Sequence, residues 1–148
     1  ILKTADSMGY KPVFFGVDGM DGILNIEGFD TSLAEGVMVL TPFAGDSANE
    51  QAKAFIANYE AAYGATPDQF AADAYDAMYT LYAATKAAGV TADTSTEDAC
   101  EMLVAAMKDL KINGVTGMTG EMTWNENGEV NKAPIVVKIV NGAYVTVE

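Results

Sequence analysis

With 148 residues, half of them apolar, the chain is long enough to fold around a hydrophobic core, which argues against an intrinsically disordered protein. Its net charge of −13, from 8 basic and 21 acidic residues, argues against nucleic-acid binding, because phosphate contacts need clustered Lys and Arg. The absence of histidine excludes Ser-His-Asp and Cys-His catalytic arrangements and the usual zinc sites, and the single cysteine, Cys100, excludes an internal disulfide.

The first nine residues indicate the end of an amphipathic helix. Ile1, Leu2, Ala5 and Met8 share one helical face, and Gly9 is a typical helix stop. Because the chain starts inside this helix without an initiator Met, we expect a fragment of a longer protein, with any signal segment outside it.

An apolar run followed by a loop of Gly and Asp marks the first candidate site. Residues 12–17 predict a strand buried on both faces, since parallel strands beneath helices lose their polar alternation. In open α/β sheets, ligands bind just beyond the carboxyl ends of strands, which is the position of Asp18. Its carboxylate can pair with a ligand ammonium or guanidinium, hold a metal ion, or cap the next helix. For Asp21, a helix cap is favoured over a catalytic pair with Asp18.

The middle of the chain predicts a turn-rich segment over residues 21–33, a second buried strand over residues 37–40 and three helices. Helical spacing and cap residues place these helices at 49–63 after Ser47, at 68–88, and after Thr94 or Ser95. The long helix is expected to bury an apolar stripe of Phe70, Ala74, Ala77, Met78, Leu81 and Ala84.

The last part of the chain predicts β-hairpins. Asn141-Gly142 between two apolar runs is a strong hairpin signal. Residues 125–129 resemble a calcium loop only faintly, because such loops have a Gly at the sixth position and a closing Glu at the twelfth, where this chain has Val136. A hairpin turn is therefore favoured. Cys100 is interpreted as a small buried hydrophobe, since no His or basic cluster is present to activate it.

Short motifs then follow one another in a particular order along the whole chain: Met8-Gly9-Tyr10-Lys11-Pro12, Phe14-Phe15-Gly16-Val17-Asp18-Gly19, Glu35-Gly36-Val37, Phe55-Ile56-Ala57-Asn58-Tyr59, Ala72-Asp73-Ala74-Tyr75-Asp76-Ala77, Gly114-Val115-Thr116-Gly117 and Thr123-Trp124-Asn125-Glu126-Asn127-Gly128. This order resembles the solute-binding proteins of branched-chain amino-acid ABC importers, of the leucine/isoleucine/valine type. The resemblance is to the C-terminal part of such proteins, less than half of a usual member.

The resemblance implies an α/β fold, the C-terminal part of a two-lobed type I periplasmic-binding-protein fold with three-layer, parallel-sheet lobes. Residues 1–43 would belong to the second lobe and residues 44–132, mostly helical, to the first. Residues 133–148 would be closing strands that return to the second lobe.

The resemblance also implies a ligand site. Asp18 stands where the family places an acidic residue facing the ligand's α-ammonium, and Phe70 stands where it places an aromatic ring near the ligand side chain. Gly19 and Met20 are expected as loop neighbours. The ligand would be an amino acid, branched-chain or otherwise apolar, and its carboxylate would be bound by a part of the family fold outside this chain.

The remaining implications concern partners and location. We expect an extracytoplasmic protein, in the periplasm or at the cell surface as a lipoprotein, that docks on the membrane permease of an ABC importer. No catalysis, cofactor, metal or nucleic acid is expected. Because half of each lobe's core would be missing, the isolated fragment is expected to self-associate.

Two alternatives stay open. The first is a ligand-sensing domain of a receptor with the same fold, which only flanking domains would distinguish. The second is a small carboxylate-dependent enzyme using Asp18 and Asp21, against which stand the missing His and the missing nucleophile elbow.

Overall fold

The computed structural model describes residues 1–147, which form an α/β fold of helices packed with two small sheets. Three 3₁₀ turns follow the first strand, at Asp18–Met20, Ile23–Asn25 and Thr31–Ala34. The helices and strands of these residues are α1 (Leu2–Ser7), β1 (Phe15–Gly16), β2 (Met38–Thr41), α2 (Glu50–Tyr63), α3 (Gln69–Ala88), α4 (Thr96–Met107), β3 (Lys111–Asn113), β4 (Glu121–Thr123), β5 (Ile135–Val140) and β6 (Ala143–Thr146).

The larger sheet joins strands from both ends of the chain in the order β1-β2-β5-β6. β1 and β2 are parallel, with Phe15 opposite Met38, whereas β5 runs antiparallel to β2 and forms a hairpin with β6. The hairpin turn at Asn141 and Gly142 has φ values of 51° and 74°, which confirms the predicted Asn-Gly turn. The predicted parallel pairing therefore holds for β1 and β2, and the closing strands make the sheet mixed.

The core of this sheet lies on one face. It is formed by alternate residues of β2 and β5, such as Val39, Val137 and Ile139, with Phe14 and Phe29 packed against them. The prediction that the first strand is buried on both faces is wrong. β1 is an edge strand, and the alternating side chains on its other face are largely exposed: Val13 by 77%, Phe15 by 57% and Val17 by 59%.

The second group of elements contains α2, α3, α4 and the β3–β4 hairpin, with a smaller core around Phe43, Phe55 and Val115. The predicted apolar stripe of α3 is wrong for most of its members. Phe70, Met78 and Leu81 are each more than half exposed. The buried positions instead repeat at three- and four-residue spacing along a different face: Gln69, Ala72, Asp76, Thr80 and Ala84.

Helix caps largely follow the sequence. Ser95 caps α4 as predicted, but α2 is capped by Asn49, whose Oδ1 accepts the Gln51 N–H at 2.8 Å, and Ser47 hydrogen-bonds only to the Asn49 N–H. α3 starts at the cap residue Asp68 and ends at Gly89, whose φ of 68° permits the left-handed stop.

Two minor interpretations are also settled. The side-chain oxygen of Asn125 accepts the N–H groups of Asn127 and Glu129, and Trp124 pairs with Val130, so residues 125–129 form the favoured hairpin turn. Cys100 is exposed, contrary to the prediction, because it lies on the outer side of α4. None of the helices described is both long and apolar enough to span a lipid bilayer.

Candidate functional site

The turn after β1 presents the first candidate residue, Asp18. Asp18, Gly19 and Met20 form a 3₁₀ turn that folds back toward the strand. Gly16 permits this, because a Cβ at that position would overlap the Met20 side chain. Met20 consequently packs on the core of the larger sheet, whereas a Cβ at Gly19 would meet no atom within 4 Å.

The carboxylate of Asp18 is exposed. Its Oδ1 accepts the N–H of the adjacent Gly19 at 2.8 Å, and within residues 1–147 no Lys forms a salt bridge with it. The local hydrogen bond orients the carboxylate without neutralising it. The negative charge is therefore available to a cationic group of a ligand.

Gln69, the first residue of α3, connects this turn to the rest of the chain. Its side chain is only 1% exposed, and its Nε2 donates to the backbone carbonyl of Asp18. Its Oε1 lies 3.0 Å from the hydroxyl of Thr41, at the end of β2. Gln69 is not among the site residues predicted from the sequence. The available signal was its spacing from Ala72 and Asp76, which places a polar side chain on their helical face.

Asp21 does cap a helix, but a distant one rather than the segment that follows it. The 3₁₀ turn that follows, Ile23–Asn25, has Gly22 at its N-cap position and receives no side-chain cap. Instead, Oδ1 of Asp21 accepts the Gly22 N–H at 2.8 Å, and Oδ2 accepts the Gln69 N–H, 48 residues away, at 2.9 Å. The positive end of the α3 dipole favours a carboxylate at this place. Both oxygens of Asp21 thus accept hydrogen bonds from backbone N–H groups.

Phe70 follows Gln69 directly and is 53% exposed in the first turn of α3. Because Gln69 holds the Asp18 carbonyl, the Asp18 turn lies at the same end of this helix as Phe70. The structure therefore places Asp18, Gly19 and Phe70 at the N-terminal end of α3, and packs the Met20 side chain on the core.

The hydroxyl of Tyr144 lies near the carboxylate of Asp21. This hydroxyl is buried, and it has no hydrogen-bond partner among the described residues. Burial, and secondly the negative charge of Asp21, raises the pKa of Tyr144 to about 12. Tyr144 therefore stays neutral across the physiological pH range and adds no second negative charge near Asp21.

The N-terminal end of α3 suits a cation better than an anion. Two of its first N–H groups are already occupied, since Asp21 accepts from Gln69 and Asp68 accepts from Ala71 at 2.9 Å. An anionic ligand would meet these carboxylates and Asp18. The arrangement instead matches a positive group beside an apolar body, with Asp18 for the charge and Phe70 for the apolar surface.

A second feature is an exposed aromatic surface along α2 and α3. It borders an open hollow of about 440 Å³, and neighbouring rings approach to 4.5 Å between centroids for Tyr75 and Tyr79 and 4.6 Å for Tyr59 and Tyr63. This surface, which we call the aromatic face, consists of Tyr59, Tyr63, Tyr75, Met78 and Tyr79, and the buried ring of Phe55 lies beneath it.

Comparison with known proteins gives one family match. A family model described as periplasmic binding protein matches residues 1–143. No curated protein matches the chain. Among solved structures, the chain is similar to the leucine-binding protein LivK of Thermotoga maritima, with 26% identity and a TM-score of 0.79, covering 99% of this chain and 39% of that one.

Two further solved structures are similar in fold. The branched-chain amino acid transporter substrate-binding protein LivJ of Streptococcus pneumoniae, solved with isoleucine, shows 22% identity and a TM-score of 0.75, covering 99% of this chain and 40% of that one. A solute-binding protein of an ABC transporter from R. palustris, solved with benzoate, shows 22% identity and a TM-score of 0.78, covering 99% and 38%. The chain therefore spans about two fifths of the length of these proteins.

Proposed function

The chain belongs to the periplasmic binding protein family, and from this membership we propose that it forms part of the solute-binding component of an ABC importer, which holds an amino acid between two lobes. Its α/β fold is that of type I periplasmic binding proteins, of which it spans a part. The proposed ligand is a branched-chain or other apolar amino acid. The observation that carries this proposal is the exposed Asp18 carboxylate, held by Gln69 at the end of α3 where Phe70 is also exposed.

The chemistry of the two side chains supports an ammonium ligand. A carboxylate accepting hydrogen bonds from an ammonium forms a charge-assisted pair, which is stronger than a neutral hydrogen bond. The ring of Phe70 offers apolar surface to an aliphatic side chain. Gly19 lines the open side of the turn, where a ligand can approach the backbone closely. Met20 contributes through the shape of the turn, because its own side chain packs into the core.

The similar proteins include binders of amino acids and one structure with an aromatic acid. LivK is a leucine-binding protein and LivJ was solved with isoleucine, whereas the R. palustris protein was solved with benzoate, which has no ammonium. In this chain, an aromatic acid would place its only charge near Asp18, Asp21 and Asp68. Like charges at short range disfavour binding, so Asp18 favours the amino-acid class.

The proposed mechanism is closure of two lobes over the ligand. Residues 1–43 and 133–148 would form the second lobe and residues 44–132 part of the first. A ligand that contacts Asp18 on one lobe and Phe70 on the other binds the closed form better, and thereby shifts the open–closed equilibrium. The loaded protein would then deliver its ligand to a membrane permease from outside the cytoplasm. A sensing receptor with the same fold is the alternative, which flanking domains would distinguish.

The test is a thermal-shift screen of the complete gene product that contains these residues, against the standard L-amino acids and benzoate. We expect leucine, isoleucine or valine to raise the melting temperature, since a ligand at a hundred times its Kd stabilises the folded state by about 2.7 kcal/mol. Mass spectrometry of the same samples should recover the ligand unchanged. A shift with benzoate and with no amino acid would contradict the proposal, and conversion of the ligand would favour the enzyme alternative.

We also propose that the 148-residue chain, expressed alone, self-associates through the aromatic face. Tyr63 is 72% exposed, Met78 65% and Tyr79 54%, and contiguous apolar patches of this kind favour association. Light scattering should show oligomers whose population falls in a Met78→Lys variant. Met118→Lys is the matched control, because Met118 is also 65% exposed but lies in the loop before β4. If the unaltered chain is monomeric, or if both substitutions have equal effects, the proposed self-association through the aromatic face is wrong.

A further inference from the structure

We propose that Gln69 is a positioning residue of the ligand site, which holds the Asp18 turn against the start of α3 and thereby sets the direction of the Asp18 carboxylate. This inference rests on the proposed function. It concerns a residue that does not itself face the ligand, because the Gln69 side chain is only 1% exposed.

The contacts of Gln69 show which parts of the chain it links. Both of its side-chain partners come from residues 1–43: the carbonyl of Asp18 and the hydroxyl of Thr41. Its backbone N–H donates to Asp21, in the same stretch of chain. A buried amide is costly unless it is hydrogen-bonded, so these contacts are needed for the side chain to stay inside. Gln69 thus joins the start of α3 to the Asp18 turn and the end of β2.

The orientation of the amide is fixed by its partners. The Thr41 hydroxyl lies 3.0 Å from Oε1, and the Asp18 carbonyl can accept only from the Nε2 side. A glutamate at this position would have nearly the same size, but it would direct an acceptor at the Asp18 carbonyl. A methionine would have similar length and would make neither bond. The geometry therefore requires both the N–H donor and the oxygen of a glutamine amide, and a side chain of equal size without them would not replace it.

Pinning the Asp18 carbonyl restrains the carboxylate of the same residue. The backbone of Asp18 is held by Gln69, and its side chain is held by the Gly19 N–H at 2.8 Å. Because the proposed lobes carry Gln69 and Asp18 separately, this contact forms as the lobes close, and it then holds the carboxylate on the ligand ammonium. A carboxylate restrained in this way stabilises the closed, liganded form relative to the open form. Phe70 is the next residue of α3, so the same contact keeps the Asp18 turn at the helix end that carries this ring.

The test is a double-mutant cycle on the complete gene product, with L-leucine binding measured by calorimetry for the unaltered protein, Asp18→Asn, Gln69→Met and the double variant. If Gln69 acts through the Asp18 carboxylate, Gln69→Met weakens binding by about tenfold when Asp18 is intact, as for loss of one hydrogen bond, and by less than about twofold when it is combined with Asp18→Asn. Gln69→Glu should weaken binding at least as much, and it serves as the second probe if Gln69→Met does not fold.

The control is Thr80→Val, which alters another buried polar position of α3 at 8% exposure, farther along the helix. It should leave leucine affinity unchanged. Equal losses for Gln69→Met with and without Asp18→Asn would mean a merely structural role and would overturn the inference, while the proposed function stands. Absence of binding of any amino acid to the unaltered protein would overturn both.

Discussion

Replacing Asp18 with alanine is expected to weaken binding of L-leucine by about 2–5 kcal/mol, the range for removing one partner of a buried charge pair. The carboxylate is exposed in the described chain. In the proposed mechanism it would become buried when a ligand and the other lobe close over it. In the variant, the ligand ammonium would then be enclosed without its counter-charge. Calorimetry on the complete gene product measures the loss directly.

Asp93→Ala is the matched control for this prediction. Asp93 is exposed in the loop after α3, and this helix of 20 residues is about 30 Å long, so Asp93 is remote from the site. Its replacement removes one negative charge without affecting the proposed pair. Wild-type affinity in the Asp18 variant would remove Asp18 from the site. Equal small losses in both variants would mean that the protein acts only through its overall negative charge.

The sequence reveals the parts of the site that depend on local patterns. An apolar run that ends in Asp18 and Gly19 predicts a strand followed by a turn, and the structure has that strand, although it is shorter and more exposed than expected. Similarly, Asn141-Gly142 specifies its hairpin because the turn geometry requires positive φ values at these two positions. The division into lobes and the roles of Asp18, Gly19, Met20 and Phe70 stay predictions.

The contacts that hold the site together could not be predicted from local patterns. Periodicity placed the apolar residues of α3 inward, yet Gln69 and Asp76 face inward and Met78 faces solvent. Their partners are 28 to 51 residues away in sequence, such as the hydroxyl of Thr41, the carbonyl of Asp18 and the N–H of Val115. A hydrophobic pattern contains no information on such pairs. The same holds for Asp21, whose helix partner begins 48 residues later.

Asp76 provides the second large expected effect, on stability rather than binding. Its side chain is almost fully buried on α3, at 3% exposure. Oδ1 accepts the Val115 N–H at 2.8 Å, and Oδ2 accepts the Thr116 N–H at 2.9 Å and the Thr116 hydroxyl at 2.5 Å. Gly114 allows the loop to approach, because a Cβ there would overlap the Asp76 carboxylate. One carboxylate thus fixes the loop between β3 and β4 on the helix.

Asp76→Ala is therefore expected to lower the free energy of unfolding by about 3–5 kcal/mol, because it leaves three buried donors without an acceptor. Asp73→Ala, one turn earlier, is the matched control. Its carboxylate is 43% exposed and pairs with Lys132 at 3.1 Å, and such surface pairs contribute at most about 1 kcal/mol.

Urea unfolding measures the free energy of unfolding of both variants. The signal is the fluorescence of Trp124, the single tryptophan of these 148 residues, which directly follows β4. A loss for Asp76→Ala no larger than that for Asp73→Ala would mean that the loop is held by its apolar contacts. The predicted difference would instead mean that the Asp76 carboxylate is the main link between α3 and the β3–β4 hairpin. Asp76 would then also stabilise the position of α3, the helix that carries Gln69 and Phe70.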